Sequence, residues 1–221
     1  MNRRIVRLLP LGLPLGMTGC AAVAWLAAVT APPNTIPPHY QLPQGSTVLV
    51  LVDDPQQRAT RTPAKSELIR ALNKQLVEHD VAKKTIALKR IMQTAAVTPN
   101  FNHLRAVDIG RKLEADFVIH VSITEFSLKD DPIGHIWEGR LATNVKVYDV
   151  EEGRVWPTDR PDGYPVEPAD HPTTENFASD FGNRLAVKLA REMADNISKL
   201  FYEHPGQEHH ELPTEYSQDN Y

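Results

Sequence analysis

The sequence predicts an α/β sandwich, in which helices pack on a mixed β-sheet and a long helix ends the domain. Residues 48–52 form a continuous apolar run rich in valine, which is typical of a strand covered on both faces. Two longer segments, 117–123 and 137–148, alternate apolar and polar residues and are predicted to be strands with one buried face. From Phe177 to Phe201 an apolar residue recurs at every fourth position, which predicts a helix of about 27 residues.

The first half of the predicted domain alternates strands and helices. The strand at 48–52 ends at Asp53-Asp54-Pro55, and Thr62-Pro63 supplies a helix cap and a first-turn proline. The elements predicted after this point are a helix near 63–79, a strand at 85–88, a short helix at 89–96 and a second full helix near 103–115.

The second half is predicted to be a meander of strands. In the strand at 117–123, His120 is out of phase with the apolar residues, so we expect it at the surface or on the second face of the sheet. After the strand at 137–148, Asp149 to Gly153 forms a turn with Gly153 suited to a positive φ. Arg154 begins the return strand, and residues 157–172, with five prolines, are expected to be a polar loop.

The amino terminus predicts export from the cytoplasm. Basic residues up to Arg7 precede an uncharged apolar stretch that ends at Cys20, as in a secretory signal. Met17-Thr18-Gly19 before Cys20 resembles the bacterial lipobox, which implies that residues 1–19 are a signal peptide and that Cys20 is acylated. The alternative is an uncleaved transmembrane helix, because residues 11–30 carry no charge and about 20 apolar residues span a bilayer. Both alternatives place the rest of the chain outside the cytoplasm, tethered to a membrane.

Four segments are predicted along the chain. Residues 1–19 are the signal peptide, 20–44 an apolar and proline-rich tether, 45–204 a single α/β domain and 205–221 an acidic tail without fixed structure. Ala21 and Ala22 follow the predicted acylation site. They lack the acidic retention signal of enteric lipoproteins, which favours the outer membrane over the inner membrane.

The composition argues against several functional classes. The 24 Lys and Arg against 28 Asp and Glu give a net charge of −4, which does not fit a nucleic-acid partner. One cysteine excludes an intrachain disulfide and a thiolate zinc site.

Neither a metal site nor a catalytic site is predicted. Nine histidines are scattered, and only His209-His210 are adjacent, so no metal site is expected. Without a glycine-rich phosphate loop or a catalytic triad motif, neither a cofactor nor an enzyme is predicted. The acid pairs at 130–131 and 151–152 are in predicted turns, where solvated carboxylates are the default.

Three segments of the body resemble a known group of lipoproteins. They are a helix, strand and short helix at 67–92, a helix that leads through Ala115-Asp116 into a strand at 109–119, and a hairpin at 145–156 that turns at Asp and Gly and returns to Trp. In this respect the chain is similar to curli-secretion lipoproteins and penicillin-binding-protein activators, whose globular part resembles the amino-terminal domain of the Tol translocation protein. The resemblance implies an α/β domain that binds proteins. A pore is not expected, because residues 129–136 are too few and residues 157–172 too proline-rich for a pair of membrane-crossing strands of about 9–11 residues each.

Two functional classes remain open from the sequence. The first is a non-catalytic envelope lipoprotein whose domain docks an unidentified envelope protein or supports and activates an assembly. The second is an auxiliary lipoprotein subunit of a secretion or lipid-transport system. Trp137 and Trp156 lie at strand starts beside loops, and they are the candidate partner-binding residues because tryptophan is enriched at binding hot spots. The alternative is that both are core residues.

Overall fold

The structure is a computed structural model that describes residues 34–131, 136–173 and 181–206. The predicted signal peptide, Cys20, most of the predicted tether and the tail from residue 207 lie outside the described residues, and so do the side chains at 130, 131, 136, 137 and 173. Within the described ranges, no helix has the length and apolar character needed to cross a membrane.

The described strands form one large mixed sheet and one small strand pair, as the sequence predicts for an α/β fold. The elements are β1 (Thr35–Ile36), β2 (Thr47–Asp53), α1 (Ala64–Glu78), β3 (Lys84–Thr85), α2 (Leu88–Val97), α3 (Ala106–Lys112), β4 (Phe117–Asp131), β5 (Ile136–Asp149), β6 (Gly153–Trp156), β7 (Tyr164–Pro165), β8 (Ala169–Thr173), α4 (Phe181–Ser198) and β9 (His204–Pro205). The large sheet has the order β3-β2-β4-β5, and β6, β7 and β8 pair in turn along the far side of β5. β2 pairs in parallel with β3 and β4, and β5 is antiparallel to β4.

One face of the sheet is covered by α1 and α4, which bury their apolar stripes against it. Leu72 of α1, Leu189 of α4 and Leu141 of β5 are completely buried. The Oγ1 of Thr143 in β5 lies 3.1 Å from the Sδ of Met193 in α4, which shows how closely this helix approaches the strand. The long amphipathic helix therefore holds the centre of the core, as its fourfold apolar repeat predicts.

The opposite face is covered at one end by α3, which approaches the sheet through a glycine. A Cβ on Gly110 would stand 2.7 Å from Cγ2 of Val118 and 2.8 Å from Cγ2 of Val150. Asp116, just after α3, joins the strands: its carboxylate accepts a hydrogen bond of 2.7 Å from the N–H of Thr47, and its own N–H donates to the Thr47 carbonyl at 2.8 Å. The small-acidic pair before β4 thus aligns β4 with the start of β2.

Five elements differ from the sequence prediction. The strand predicted at 85–88 is only β3 (Lys84–Thr85), and the full helix predicted near 103–115 is the seven-residue α3. β4 continues to Asp131 rather than ending near 123, because a bulge between Ile123 and Glu125 shifts the pairing and breaks the alternation of buried residues. The expected loop at 157–172 contains β7 and β8, whose prolines are tolerated because both strands lie at the edge of the sheet. The helix α4 ends at Ser198, so the predicted 27 residues are too many. Phe201 continues the apolar spacing from a turn after the helix and is buried, whereas Phe177 lies outside the described residues.

Residues 35–44 of the predicted tether pack on the body. β1 pairs with β9, with Thr35 opposite Pro205 and Ile36 opposite His204. The N–H groups of His39 and Tyr40 both donate to the Leu200 carbonyl, at 2.8 and 3.1 Å. A two-residue strand is too short to produce a periodic sequence signal, which is why the sequence places the start of the body at residue 45.

Candidate functional site

Four aromatic side chains from distant parts of the sequence meet on one side of the body. They are His39, Tyr40, Trp156 and Tyr164, which we call the aromatic surface. The ring centroids of Trp156 and Tyr164 are 5.0 Å apart, those of His39 and Tyr164 4.8 Å, and those of Tyr40 and Trp156 6.0 Å. His39 is exposed and the other three are half-buried, so the rings contact each other and solvent at once.

Each ring is positioned by a different backbone segment. Trp156 is the last residue of β6, and Tyr164 begins β7. His39 and Tyr40 are held by their hydrogen bonds to the Leu200 carbonyl. On the side that faces the core, the buried ring of Phe201 packs edge-on against Trp156, with 6.3 Å between the centroids. The surface is therefore built on the sheet and on the turn after α4.

The loop from β6 to β7 is organised around the guanidinium of Arg154. Its Nη1 donates to the Pro161 carbonyl at 3.1 Å, and its Nη2 donates to the Pro157 carbonyl at 2.6 Å and also to the Arg160 carbonyl. At the other end of the loop, the guanidinium carbon of Arg160 lies 5.0 Å from the Tyr164 ring centroid, a cation–π geometry. These contacts hold the β6–β7 loop in a fixed position next to the aromatic surface.

The polar atoms of the aromatic surface are suited to hydrogen bonding. The pKa of Tyr40 is raised, first by burial and then by the negative charges of Asp149 and Glu152. The Tyr40 phenol therefore stays protonated at neutral pH and keeps its hydrogen to donate. The Tyr164 hydroxyl and Nε2 of His39 are 3.4 Å apart.

The polar residues on the opposite face do not form a hydrogen-bonded catalytic chain. His120 and Ser122 of β4 share that face with Asp53 of β2, which is opposite Ser122. Among the described residues, no hydrogen bond links the three, and Nδ1 of His120 is buried without a partner. Burial lowers the pKa of His120, Lys146 lowers it further, and Asp53 opposes the change, so the ring is neutral at pH 7.

The structure places the predicted site residues as follows. Trp156 belongs to the aromatic surface, whereas the side chain of Trp137 and all of Cys20 lie outside the described part of the chain. His120 lies on the second face of the sheet, one of the two places predicted for it. Glu151 and Glu152 are exposed in the β5–β6 turn, where their N–H groups bind the carboxylate of Asp149 at 2.7 and 3.0 Å. Within the described residues, no group of three or more His, Cys, Asp or Glu could hold a metal ion.

No family model and no curated protein matches the sequence. Among solved structures, the lipoprotein GNA1162 from Neisseria meningitidis is similar, with 12% identity, 68% of this chain and 99% of that chain covered, and a TM-score of 0.42. The PelC dodecamer from Paraburkholderia phytofirmans has 13% identity, coverages of 76% and 96%, and a TM-score of 0.40. The LpoB C-terminal domain from Salmonella enterica has 13% identity, coverages of 61% and 86%, and a TM-score of 0.32. TM-scores below 0.5 mean that the likeness is partial, and it carries no conclusion about what this chain does.

Three residues of the aromatic surface were missed from the sequence. His39 and Tyr40 fall in the predicted tether and Tyr164 in the predicted loop. The available signal was the aromatic residues themselves, since His39, Tyr40 and Leu42 interrupt a proline-rich segment that otherwise has little to bury. Their pairing with Trp156 depends on long-range packing and has no local pattern.

Proposed function

We propose that this chain is a non-catalytic lipoprotein of the bacterial envelope that is anchored through Cys20, preferentially in the outer membrane. Its domain docks an envelope protein or supports an assembly, and it does so through the aromatic surface. The anchor is inferred from the lipobox-like Met17-Thr18-Gly19-Cys20. The docking role is inferred from the described part of the body.

The observation that carries the docking role is the ring cluster itself. His39, Tyr40, Trp156 and Tyr164 stand within 4.8 to 6.0 Å of a neighbouring ring. Tyrosine and tryptophan are enriched at protein interfaces, because they bury a large area and still present a polar group. Half-buried rings on a fixed backbone also lose little conformational freedom when a partner binds, which favours affinity.

The contacts that the polar side chains make in the described part of the chain agree with a non-catalytic role. Asp53, His120 and Ser122 are not joined by hydrogen bonds, as described above, and Glu151 and Glu152 are solvated in a turn. Asp54 and Asp116 are used to fix backbone: Asp54 accepts hydrogen bonds from the N–H groups of Arg58 and Ala59, at 3.1 and 2.9 Å. These carboxylates therefore hold the fold in place.

Site-specific crosslinking in intact envelopes tests the docking role. A photo-crosslinking amino acid at Tyr164 of the full-length protein should give one defined adduct with an envelope protein. The matched control places the same group at Lys112, an exposed residue of α3 on the opposite face of the sheet, and should not give that adduct. Equal adducts at both positions, or none at Tyr164, would contradict docking at the aromatic surface.

A further inference from the structure

One segment of this acidic chain carries only positive charge. Residues 81–107 contain Lys83, Lys84, Lys89, Arg90 and Arg105 and no Asp or Glu, although the chain has a net charge of −4. The segment forms β3, α2 and the start of α3. Arg90 and Arg105 are paired with carboxylates outside the segment, at 2.9 and 2.8 Å. The local positive field therefore comes from Lys83, Lys84 and Lys89, and it attracts negatively charged partners.

A groove of about 750 Å³ lies between α1 and α2, next to β3. Its lining contains no carboxylate. Lys89 forms no ion pair among the described residues, and Arg70 is 3.9 Å from Glu67, whose carboxylate makes a shorter contact of 2.6 Å with Arg191. The groove thus presents two cations that the described part of the protein does not neutralise closely.

The wall that α2 contributes is apolar and exposed. Of its ten residues, only Ile91 is buried. Met92 lines the groove and is 63% exposed, and Leu88 beside it is half-buried. The groove therefore offers an apolar surface that a partner could cover.

We propose that this groove binds an extended acidic peptide segment of an envelope partner. An apolar side chain of the segment packs against Leu88 and Met92, and carboxylates flank it at Arg70 and Lys89. Thr85 lines the groove and belongs to β3, the edge strand of the sheet. An extended segment in the groove would therefore lie next to a sheet edge, where peptides can add as a further strand. This inference rests on the proposed docking role but names a second surface and the chemistry of its partner.

A peptide fits these features better than an anionic membrane does. A bilayer surface would contact the exposed Met92 and Val97, but it does not enter a groove beside a sheet edge. The concave shape and the adjacent edge strand β3 therefore favour a peptide, and lipid binding is an outcome that the experiment separates.

The test uses the full-length protein held in nanodiscs of neutral lipid and panned against a phage library of random 12-residue peptides. The enriched peptides should be acidic, with at least two carboxylates around an apolar residue. For a synthetic peptide from that pool, Lys89→Glu and Met92→Ser should each weaken binding about fivefold or more, since a charge contact and an apolar contact are lost. Lys129→Glu, a matched reversal of an exposed lysine in β4, should leave the affinity unchanged.

Hydrogen exchange identifies the occupant. Adding the peptide should protect the amides of α2 in neutral nanodiscs. Protection of α2 by anionic lipid without peptide, or by a second copy of the chain in the same disc, would overturn the proposal, as would enrichment of peptides that are not acidic or equal binding to Lys89→Glu. The crosslinking experiment at Tyr164 does not involve this groove, so failure of the groove proposal and failure of the docking role give different results.

Discussion

Gly139 of β5 lies directly under Leu189 of α4. A Cβ on Gly139 would stand 2.7 Å from Cδ1 of Leu189 and 2.9 Å from Cγ of Leu185. The central helix therefore rests on the strand at a position where no side chain separates them. This contact joins the two elements that the sequence predicts most directly, the alternating strand and the helix with the fourfold apolar repeat.

Gly139→Ala should destabilise the domain. The added methyl overlaps two buried leucines, and overpacking of this kind costs about 1–3 kcal/mol. Urea denaturation measures the loss as a lower midpoint. Gly182→Ala is the matched control, because the nearest atom to its Cβ, Cδ1 of Leu128, is 3.9 Å away, and alanine in a helix is favoured over glycine by up to about 1 kcal/mol. A lower midpoint for Gly182→Ala than for Gly139→Ala would contradict this packing.

Leu189→Asp should prevent the domain from folding. Leu189 is completely buried between α4 and the sheet, and an unpaired carboxylate there costs several kcal/mol against a total stability of about 5–15 kcal/mol. We expect loss of the folded protein, measured by circular dichroism and by the yield of soluble domain. Lys188→Asp changes the adjacent exposed residue and should fold normally. If both variants melt like the wild type, α4 does not pack where the structure has it.

The elements predicted correctly are those whose own residues show a period or a turn signal. The helix at 64–78 was expected near 63–79, because Leu68, Leu72 and Leu76 face one side. The turn after β5 was expected from Asp149 and Gly153, and Gly153 has a φ of +96°. In both cases the local pattern and the global packing require the same residues.

The strands predicted wrongly or missed depend on pairing with other segments of the chain. The bulge after Ile123 ends the regular alternation, so the sequence pattern predicts a strand that stops at residue 123. β7 has only two residues and is a strand because it pairs with β5. In the same way, β1 is a strand because it pairs with β9. The aromatic surface belongs to the same class, because His39 meets Tyr164 only after these pairings have formed.

The half-buried His120 should make stability depend on pH. Its pKa is lowered in the folded state, mainly by burial, so below the unfolded value of about 6.5 the unfolded chain binds more protons. This contribution to stability is present above that pH and is lost as the pH falls towards the folded value. Comparing unfolding free energies at pH 7.5 and pH 5, we expect His120→Gln to lose less stability than the wild type. An equal loss in both proteins would show that other groups control the acid sensitivity.

Cys20→Ser tests the lipid anchor. If Met17-Thr18-Gly19-Cys20 acts as a lipobox, the variant should lose labelling by a radioactive or clickable fatty acid and should stay at precursor size. The readout is a gel of labelled envelopes beside the wild-type protein. Wild-type protein that carries no label and migrates at precursor size would remove the lipoprotein interpretation and favour the uncleaved helix over residues 11–30.

Variants at Trp156 and Tyr164 distinguish the packing role of the aromatic surface from its proposed role in binding a partner. Trp156 packs on the buried Phe201 as well as on Tyr164. Trp156→Ala should therefore lower the free energy of unfolding by about 2 kcal/mol, as expected for a half-buried ring, in addition to any loss of binding.

Tyr164 is in a two-residue edge strand and contacts His39, Trp156 and Arg160. Tyr164→Ala should therefore leave the melting temperature within a few degrees of the wild type, because little core packing is lost. It should still weaken partner capture about tenfold, which corresponds to about 1.4 kcal/mol. Thermal melts and capture of the crosslinked partner are measured on the same preparations. If Tyr164→Ala captures the partner as well as the wild type does, while Trp156→Ala only lowers the melting temperature, then Trp156 is a core residue and the partner binds elsewhere on the body.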